Sequence, residues 1–233
     1  MKSTVEQIRE RFDKDVERFS NLETGQTAAM DSPLMLDLIS RAAAALNPGA
    51  TSILDIGCGA GNYTLKLLDA LPSIREAALI DLSLPMLERA RARTAGRARV
   101  ETIQADVRDV SLGVARFDVA VAAAVMHHLR TDDEWRAVFG AAYASLKPGG
   151  SFWIADMVEH SIPRVHELMW DRYGTYLAGL RDEAYRQTVF AYIDAEDTPK
   201  PLVFQLDMLR EVGFRQVDVL HKNGCFAAFG GMK

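Results

Sequence analysis

Apolar residues recur every three or four positions at the start of the chain, at Val5, Ile8, Phe12, Val16 and Phe19, a spacing that predicts one amphipathic helix. A second helix is predicted from Leu34 to Leu46, opened by Asp31, Ser32 and Pro33, residue types suited to a helix start. The period then changes. Short apolar runs predict strands at Ser52 to Ile56, Ala77 to Asp81, Val100 to Gln104, Phe117 to Ala123 and Ser151 to Ala155, the last following the turn Lys147-Pro148-Gly149-Gly150. Between them lie helical patterns, one from Tyr63 to Ala70 and another capped by Ser83 with Pro85 in its first turn. This alternation implies an α/β fold whose parallel sheet is covered by helices on both faces.

From Met157 to about Leu206 the alternation stops. Helical stretches around Ile162 to Leu177 and Asp182 to Ile193 carry Trp170, Tyr173, Tyr176, Tyr185, Phe190 and Tyr192, interleaved with Arg172, Arg181 and Arg186. Strand patterns return at Gln216 to Leu220 and Cys225 to Phe229, separated by Lys222-Asn223-Gly224, and predict an antiparallel hairpin that completes a seven-stranded sheet. The predicted layout is one domain: an N-terminal helical cap (1–48), a core (51–156), a helical lid insertion (157–206), and a final helix with the hairpin (207–233).

Composition narrows the class. A chain of 233 residues, 48% hydrophobic, is long enough for one large α/β domain and short for two. Its net charge of -5 disfavours a nucleic-acid partner, and the arginine run Arg89, Arg91, Arg93, Arg97 and Arg99 reads first as a solvated helix face. Cys58 and Cys225 are isolated and lack metal spacing, so a reduced, cytoplasmic setting is expected. The charged start predicts no signal segment, and no run approaches the roughly 20 apolar residues of a membrane span. A small-molecule substrate is the partner expected, with no membrane; a homodimer is among the assemblies the composition allows.

The richest chemistry sits at the end of the first strand, in Ile53-Leu54-Asp55-Ile56-Gly57-Cys58-Gly59-Ala60-Gly61. Glycines at every second position let backbone approach a ligand and take positive φ angles, which suits a nucleotide-like group. A dinucleotide fingerprint would place a third glycine where Asn62 stands, and a P-loop would follow with Gly-Lys-Ser/Thr. Neither is present. Asp55 before the glycines would repel a pyrophosphate and attract an ammonium. Asp81, at the end of the second strand, is placed to accept two ribose hydroxyls, a helix cap being its other reading. Asp106, after the third strand, reads either as an acceptor for an adenine amino group or as a turn residue.

In order, Asp55 to Gly61, Ile80-Asp81-Leu82-Ser83 with Met86, Gln104-Ala105-Asp106-Val107 and the small residues Ala122-Ala123-Ala124 resemble the motifs of the class I S-adenosylmethionine (SAM)-dependent methyltransferases, over roughly Ile53 to Asp156. The resemblance implies a Rossmann-like fold and SAM as cofactor. It implies contacts to SAM from Asp55, Gly57, Cys58, Gly59, Gly61, Asp81, Leu82, Met86, Ala105, Asp106, Val107 and Ala123.

Met126-His127-His128-Leu129 follows the fourth strand and offers two candidate bases, His128 preferred to His127, against a purely pocket-shaping role. No metal is expected, because adjacent histidines point apart on most backbones and Asp156 is an uncertain third ligand. The aromatic lid segment reads as core packing or as an acceptor wall, with Trp170, Tyr173 and Arg186 as candidate substrate contacts.

Within the superfamily, Phe12-Asp13-x-x-Val16, Leu209-x-x-x-Gly213-Phe214 and Phe226-x-x-Phe229-Gly230 are similar to the group of carboxy-SAM synthase and small methyltransferases. In that synthase a lid arginine grips the extra carboxylate, a place Arg186 matches. The leading expectation is methyl transfer to a small molecule by in-line displacement in a lid-enclosed pocket. Carboxy-SAM synthesis and a non-catalytic SAM-binding module are the alternatives.

Overall fold

The computed structural model describes residues 2–21 and 25–233. Seven strands form one sheet: β1 (Ser52–Ile56), β2 (Glu76–Asp81), β3 (Arg99–Gln104), β4 (Phe117–Ala123), β5 (Leu146–Met157), β6 (Gln216–Asn223) and β7 (Phe226–Met232). Their spatial order is β3-β2-β1-β4-β5-β7-β6, parallel from β3 through β5 and antiparallel at β7 and β6. The expected Rossmann-like sheet with its closing hairpin is therefore present. Every residue of β1 is buried, as a central parallel strand requires.

Successive residues feed opposite faces. Ile53, Leu79, Val121 and Trp153 face α3 (Ser32–Leu46), α4 (Asn62–Ala70) and α5 (Leu84–Arg93). Leu54, Ile80, Ala122 and Ile154 join the layer of α6 (Asp132–Ser145) and α9 (Leu202–Val212), centred on Trp135, Phe139 and Phe152. This period of two along each strand and the helices on both faces make a three-layer core. Among the described residues no helix is long and apolar enough to cross a membrane.

Several boundaries differ from the sequence reading. The single first helix is two, α1 (Val5–Lys14) and α2 (Val16–Ser20), broken at Asp15 where φ is −104° and ψ 11°. Aspartate is a poor helix-interior residue because its short carboxylate seeks local partners, and Asp15 takes Arg18 at 2.6 Å. The helix predicted to follow residue 206 already begins at Leu202, just after Pro201, whose missing N–H is harmless at a helix start. Strand β5 is longer than Ser151 to Ala155, since Leu146 still pairs with Phe117 and Met157 with Phe226. The crossover from β3 to β4, residues 105–116, contains no α-helix.

The insertion forms α7 (Pro163–Leu180) and α8 (Glu183–Glu196). Trp170 stacks on Phe190 with centroids 5.2 Å apart, and Tyr173 meets Phe226 of β7 edge-on at 5.2 Å. These contacts seat the helical pair on the end of the sheet.

Candidate functional site

Where β1 ends, the chain turns through Gly57 to Gly61 into α4 with the backbone held tightly. Gly57 has φ +64°, and a Cβ there would lie 2.1 Å from Val125 Cγ2. Gly59 has φ +49°, and its missing Cβ would meet nothing within 4 Å, so this stretch of bare backbone faces open space. Asp81 braces the loop from the next strand: one carboxylate oxygen accepts from the Gly59 N–H at 2.8 Å, the other from the Ser83 N–H at 2.9 Å. Ser83, whose hydroxyl accepts from the Met86 N–H at 3.3 Å, is the side-chain cap of α5. From the helix behind, Arg93 donates to the Ala60 carbonyl at 2.6 Å and to Asn62 Oδ1 at 2.8 Å. Asn62 in turn donates to the Phe19 carbonyl at 2.8 Å, tying α2 to the loop.

Burial dominates the acids of this loop. It pushes the Asp55 carboxyl up to about 7, against the pull of a 2.5 Å hydrogen bond from the Thr64 hydroxyl. It pushes Asp81 up to about 6, against its backbone donors. Both acids would gain from a cation or further hydrogen-bond donors brought beside them.

In front of the loop lies a cavity of about 320 Å³. Eleven of the twelve candidate cofactor residues line it: Asp55, Gly57, Cys58, Gly59, Asp81, Leu82, Met86, Ala105, Asp106, Val107 and Ala123. Gly61 lies behind, packed toward Ala90, where a Cβ would stand 3.1 Å from that side chain. Asp106 is engaged by Arg108, through Nε at 2.9 Å and a terminal nitrogen at 2.5 Å, and Arg108 also reaches Glu134 at 3.0 Å. Burial would raise the Asp106 carboxyl, but Arg108 outweighs it and keeps it below its ordinary value. Val5, Ile8, Phe12 and Phe19, from α1 and α2, close the cavity from above.

A second cavity, of about 380 Å³, adjoins the first and shares the walls Phe12, Phe19, Gln26, Tyr63, Ala123 and Ala124 with it. Ala124 adopts φ +55°, an unusual conformation for a residue with a Cβ, at the seam between the two spaces. Helices α7 and α8 contribute Tyr173, Tyr185, Val189, Tyr192 and Ile193, and α3 contributes Met35. Arg11 joins roof to lid: it pairs with Glu196 at 2.8 Å and donates to the Tyr192 hydroxyl. Of the three candidate substrate contacts, only Tyr173 reaches this cavity. Its hydroxyl is spent on the Ala28 carbonyl at 3.1 Å. Trp170 is stacked within the lid, and Arg186 packs against Gly174, beside Phe190 and Glu183, lining neither space.

At the seam stand the two histidines, on a 3-10 turn at Met126–His128. Contrary to the expectation that they diverge, their rings lie 4.3 Å apart. His128 lines the first cavity and His127 the second. His127 Nδ1 donates to Asp156, whose carboxylate also accepts the N–H groups of Met126 and Met157, each at 2.7 Å. Asp197, from the end of α8, lies 3.6 Å from His127 Nε2 and 3.3 Å from His128 Nδ1. Burial opposes charge on His127, but Asp156 and Asp197 together raise it to about 9. Burial and the neighbouring His127 hold His128 below its ordinary value.

Asp197 was invisible to sequence reasoning. It sits some seventy residues from the histidine pair in a polar loop, and only the fold brings them together. In the sequence Asn62 stands where a dinucleotide fingerprint needs glycine and Arg93 reads as a solvated charge; their shared hydrogen bond across the loop has no spacing signature.

Comparison with known proteins accords with this architecture. Residues 53–150 match the family profile described as a methyltransferase domain. The chain is 29% identical over 114 residues to an uncharacterized methyltransferase of Mycobacterium tuberculosis, covering 49% of this chain and 54% of that one. It is 30% identical over 148 residues to a malonyl-[acyl-carrier protein] O-methyltransferase of Pseudescherichia vulneris, covering 60% and 53% respectively. The matches thus span about half the length of these curated relatives. In fold it is similar to an O-methyltransferase family protein from Burkholderia thailandensis, with a TM-score of 0.68 at 20% identity, covering 96% of this chain and 61% of that one. Ordered motifs, a glycine loop braced by a strand-end aspartate and the matched profile converge: residues 53–150 match a methyltransferase domain, and the chain is similar in sequence and fold to methyltransferases.

Proposed function

We infer that this protein transfers a methyl group from SAM to a small-molecule acceptor, with the donor in the first cavity and the acceptor in the second. The observation that carries the reading is the pair of adjoining cavities, one walled by the glycine loop and three strand-end acids, the other by lid aromatics.

The residues fit the donor. Gly59 presents backbone with no side chain in front of it, and Asp81, already fixed by two N–H groups, is positioned for a ribose diol. Asp55 is suited to an amino group, and Leu82, Met86 and Val107 offer apolar surface for a base. SAM supplies an activated methyl on a sulfonium. The chain's own contribution is to orient and enclose: α1 and α2 cover the first cavity, and α7 with α8 wall the second, so water is kept from the line between nucleophile and methyl. His127 and His128 stand at the seam, where a group that binds the acceptor or takes its proton belongs.

The acceptor chamber is mostly apolar and aromatic, with Asp156, Asp197 and His127 as its polar floor, which suits a flat molecule with a hydroxyl or amine. The placement of Arg186 away from both spaces favours an ordinary acceptor over a donor bearing an additional carboxylate. Calorimetric titration with S-adenosylhomocysteine, followed by a screen of phenols, enols and amines with methyl-labelled SAM, tests the reading. Saturable binding and label transfer to one acceptor class are expected; no binding would overturn the donor site, and binding without any transfer would make the protein a SAM-binding module.

A further inference from the structure

Three side chains at the seam are arranged as ligands rather than as a simple hydrogen-bonded group. His127, His128 and Asp197 each offer one donor atom, and all three atoms lie within 4.8 Å of one another. A zinc-type ion with ligand bonds of about 2.0–2.1 Å holds its tetrahedral donors about 3.3 Å apart. Here Asp197 Oδ1 is 3.3 Å from His128 Nδ1 and 3.6 Å from His127 Nε2. The two histidine nitrogens also lie within 4.8 Å of each other, so closure on an ion needs only small shifts of these side chains.

A second, independent observation concerns satisfaction. Asp197 Oδ1 and both ring nitrogens of His128 are buried and make no hydrogen bond within the protein, while the Asp197 side chain is only 1% exposed. Buried polar atoms without partners are costly, and a cation would satisfy the carboxylate oxygen and one imidazole lone pair together. A third observation is the support behind His127. Its Nδ1–H is held by Asp156, which is itself fixed by backbone N–H groups, so Nε2 is left to face Asp197. A carboxylate gripping the far nitrogen of a histidine is the usual outer support of a metal ligand, since it sets the tautomer and raises basicity.

We propose that His127, His128 and Asp197 form a binding site for one zinc-type divalent cation at the seam between the two cavities. The ligand set, two imidazoles and one carboxylate, is the borderline-soft type that suits zinc, cobalt or iron over magnesium or calcium. Three protein ligands leave a coordination position open, the pattern of reactive rather than purely structural sites. Two carboxylates, Asp156 and Asp197, balance the dication in a place walled from water. If the second cavity is the acceptor chamber, a premise taken from the proposed function, the open position would take an oxygen or nitrogen of the acceptor.

The test uses the full chain, stripped with a chelator and titrated with Co²⁺, read by its visible absorption, and with Zn²⁺ by competition. One ion per chain is expected, with Asp197→Asn and His128→Gln each weakening Co²⁺ at least about 100-fold. Asp156→Asn, which touches no ion, is expected to weaken it about 10- to 100-fold. Folding of each variant is checked by circular dichroism; should Asp197→Asn fail to fold, His128→Gln carries the test. Uptake well below one ion by the parent chain, or equal affinity in parent and folded variants, would overturn the site and leave a proton-holding network in its place. S-adenosylhomocysteine titration of the parent chain is read separately, and its failure would count against the donor cavity alone.

Discussion

The two cavities have similar volumes and share a wall, yet they are made in opposite ways. The first is floored by residues at the ends of neighbouring strands: Asp55 and Gly57 to Gly59 at the end of β1, Asp81 and Leu82 at the end of β2, Ala105 to Val107 after β3. Parallel strands all end on one side, so the sheet itself brings these short segments together. The second draws Arg11 and Phe12 from α1, Met35 from α3, Tyr63 from α4, His127 from a turn and Tyr192 from α8. Helix packing, not sheet register, brings these together over a floor from β5 and β7 that includes Ala155, Asp156, Met157 and Phe226. On the proposed function, the donor half is set by the ends of parallel strands, and the acceptor half by side chains that helix packing carries over the sheet.

The largest expected effect that separates the halves is on the donor. Asp81→Ala removes the brace of the glycine loop and, on the proposed function, the acceptors for the ribose; hydrogen bonds to a charged group are each worth about 1.5–3 kcal/mol, so S-adenosylhomocysteine affinity should fall about 100-fold or more. Calorimetry would show it, and an unchanged affinity would remove Asp81 from the site. Next in size, Val189→Trp fills the lid side of the second cavity only, and should cut acceptor turnover at least about tenfold while S-adenosylhomocysteine affinity stays within about twofold. Parallel losses in both readouts would show that the cavities are not separate.

A smaller effect comes from pH. Asp55 and Asp81 have folded values of about 7 and about 6, above the ordinary 3.8, so the folded chain binds protons more tightly than the unfolded one. Their contribution is thus fully favourable below about pH 4 and is lost as pH rises through 6 to 7. Ligand binding has the opposite sign, because an ammonium and ribose hydroxyls favour the ionised acids. Urea unfolding at pH 5.5 and 8, with and without S-adenosylhomocysteine, should show ligand stabilisation growing with pH; Asp55→Asn should flatten the trend. The smallest effect is expected from Arg93→Met, which unties Ala60 and Asn62 from α5 and should weaken the donor about fivefold, worth roughly 1 kcal/mol.

The same contrast explains what the amino-acid order disclosed. Strand ends are local in sequence, so Asp55, Asp81 and Asp106 could be read from their neighbours, and all three border the first cavity. Lid aromatics could not be assigned that way. Trp170 and Tyr173 lie three residues apart on one helix, but one stacks inside the lid and the other reaches the chamber, a difference made by where α8 packs. Arg186 looked free on charge alone, whereas Gly174 lets α7 approach so closely that the guanidinium is taken up between the helices. Asp197 carries no pattern whatever; its meaning arises only when α8 ends beside the histidine turn. The break at Asp15 was likewise hidden, because apolar spacing continued across it.

Phe12 and Phe19 roof both chambers at once, with α2 latched to the glycine loop through Asn62 and α1 latched to the lid through Arg11. On the proposed function, an opening of these helices would expose both spaces, and spent donor and methylated product would leave through a shared gate. Methyl transfer and product escape would then run on separate clocks, with chemistry waiting for the latches to close and the next cycle for them to let go. A rapid first turnover followed by a slower steady rate is the kinetic signature of such a gate, and loosening the Arg11 latch should hasten the slow phase at the expense of the fast one.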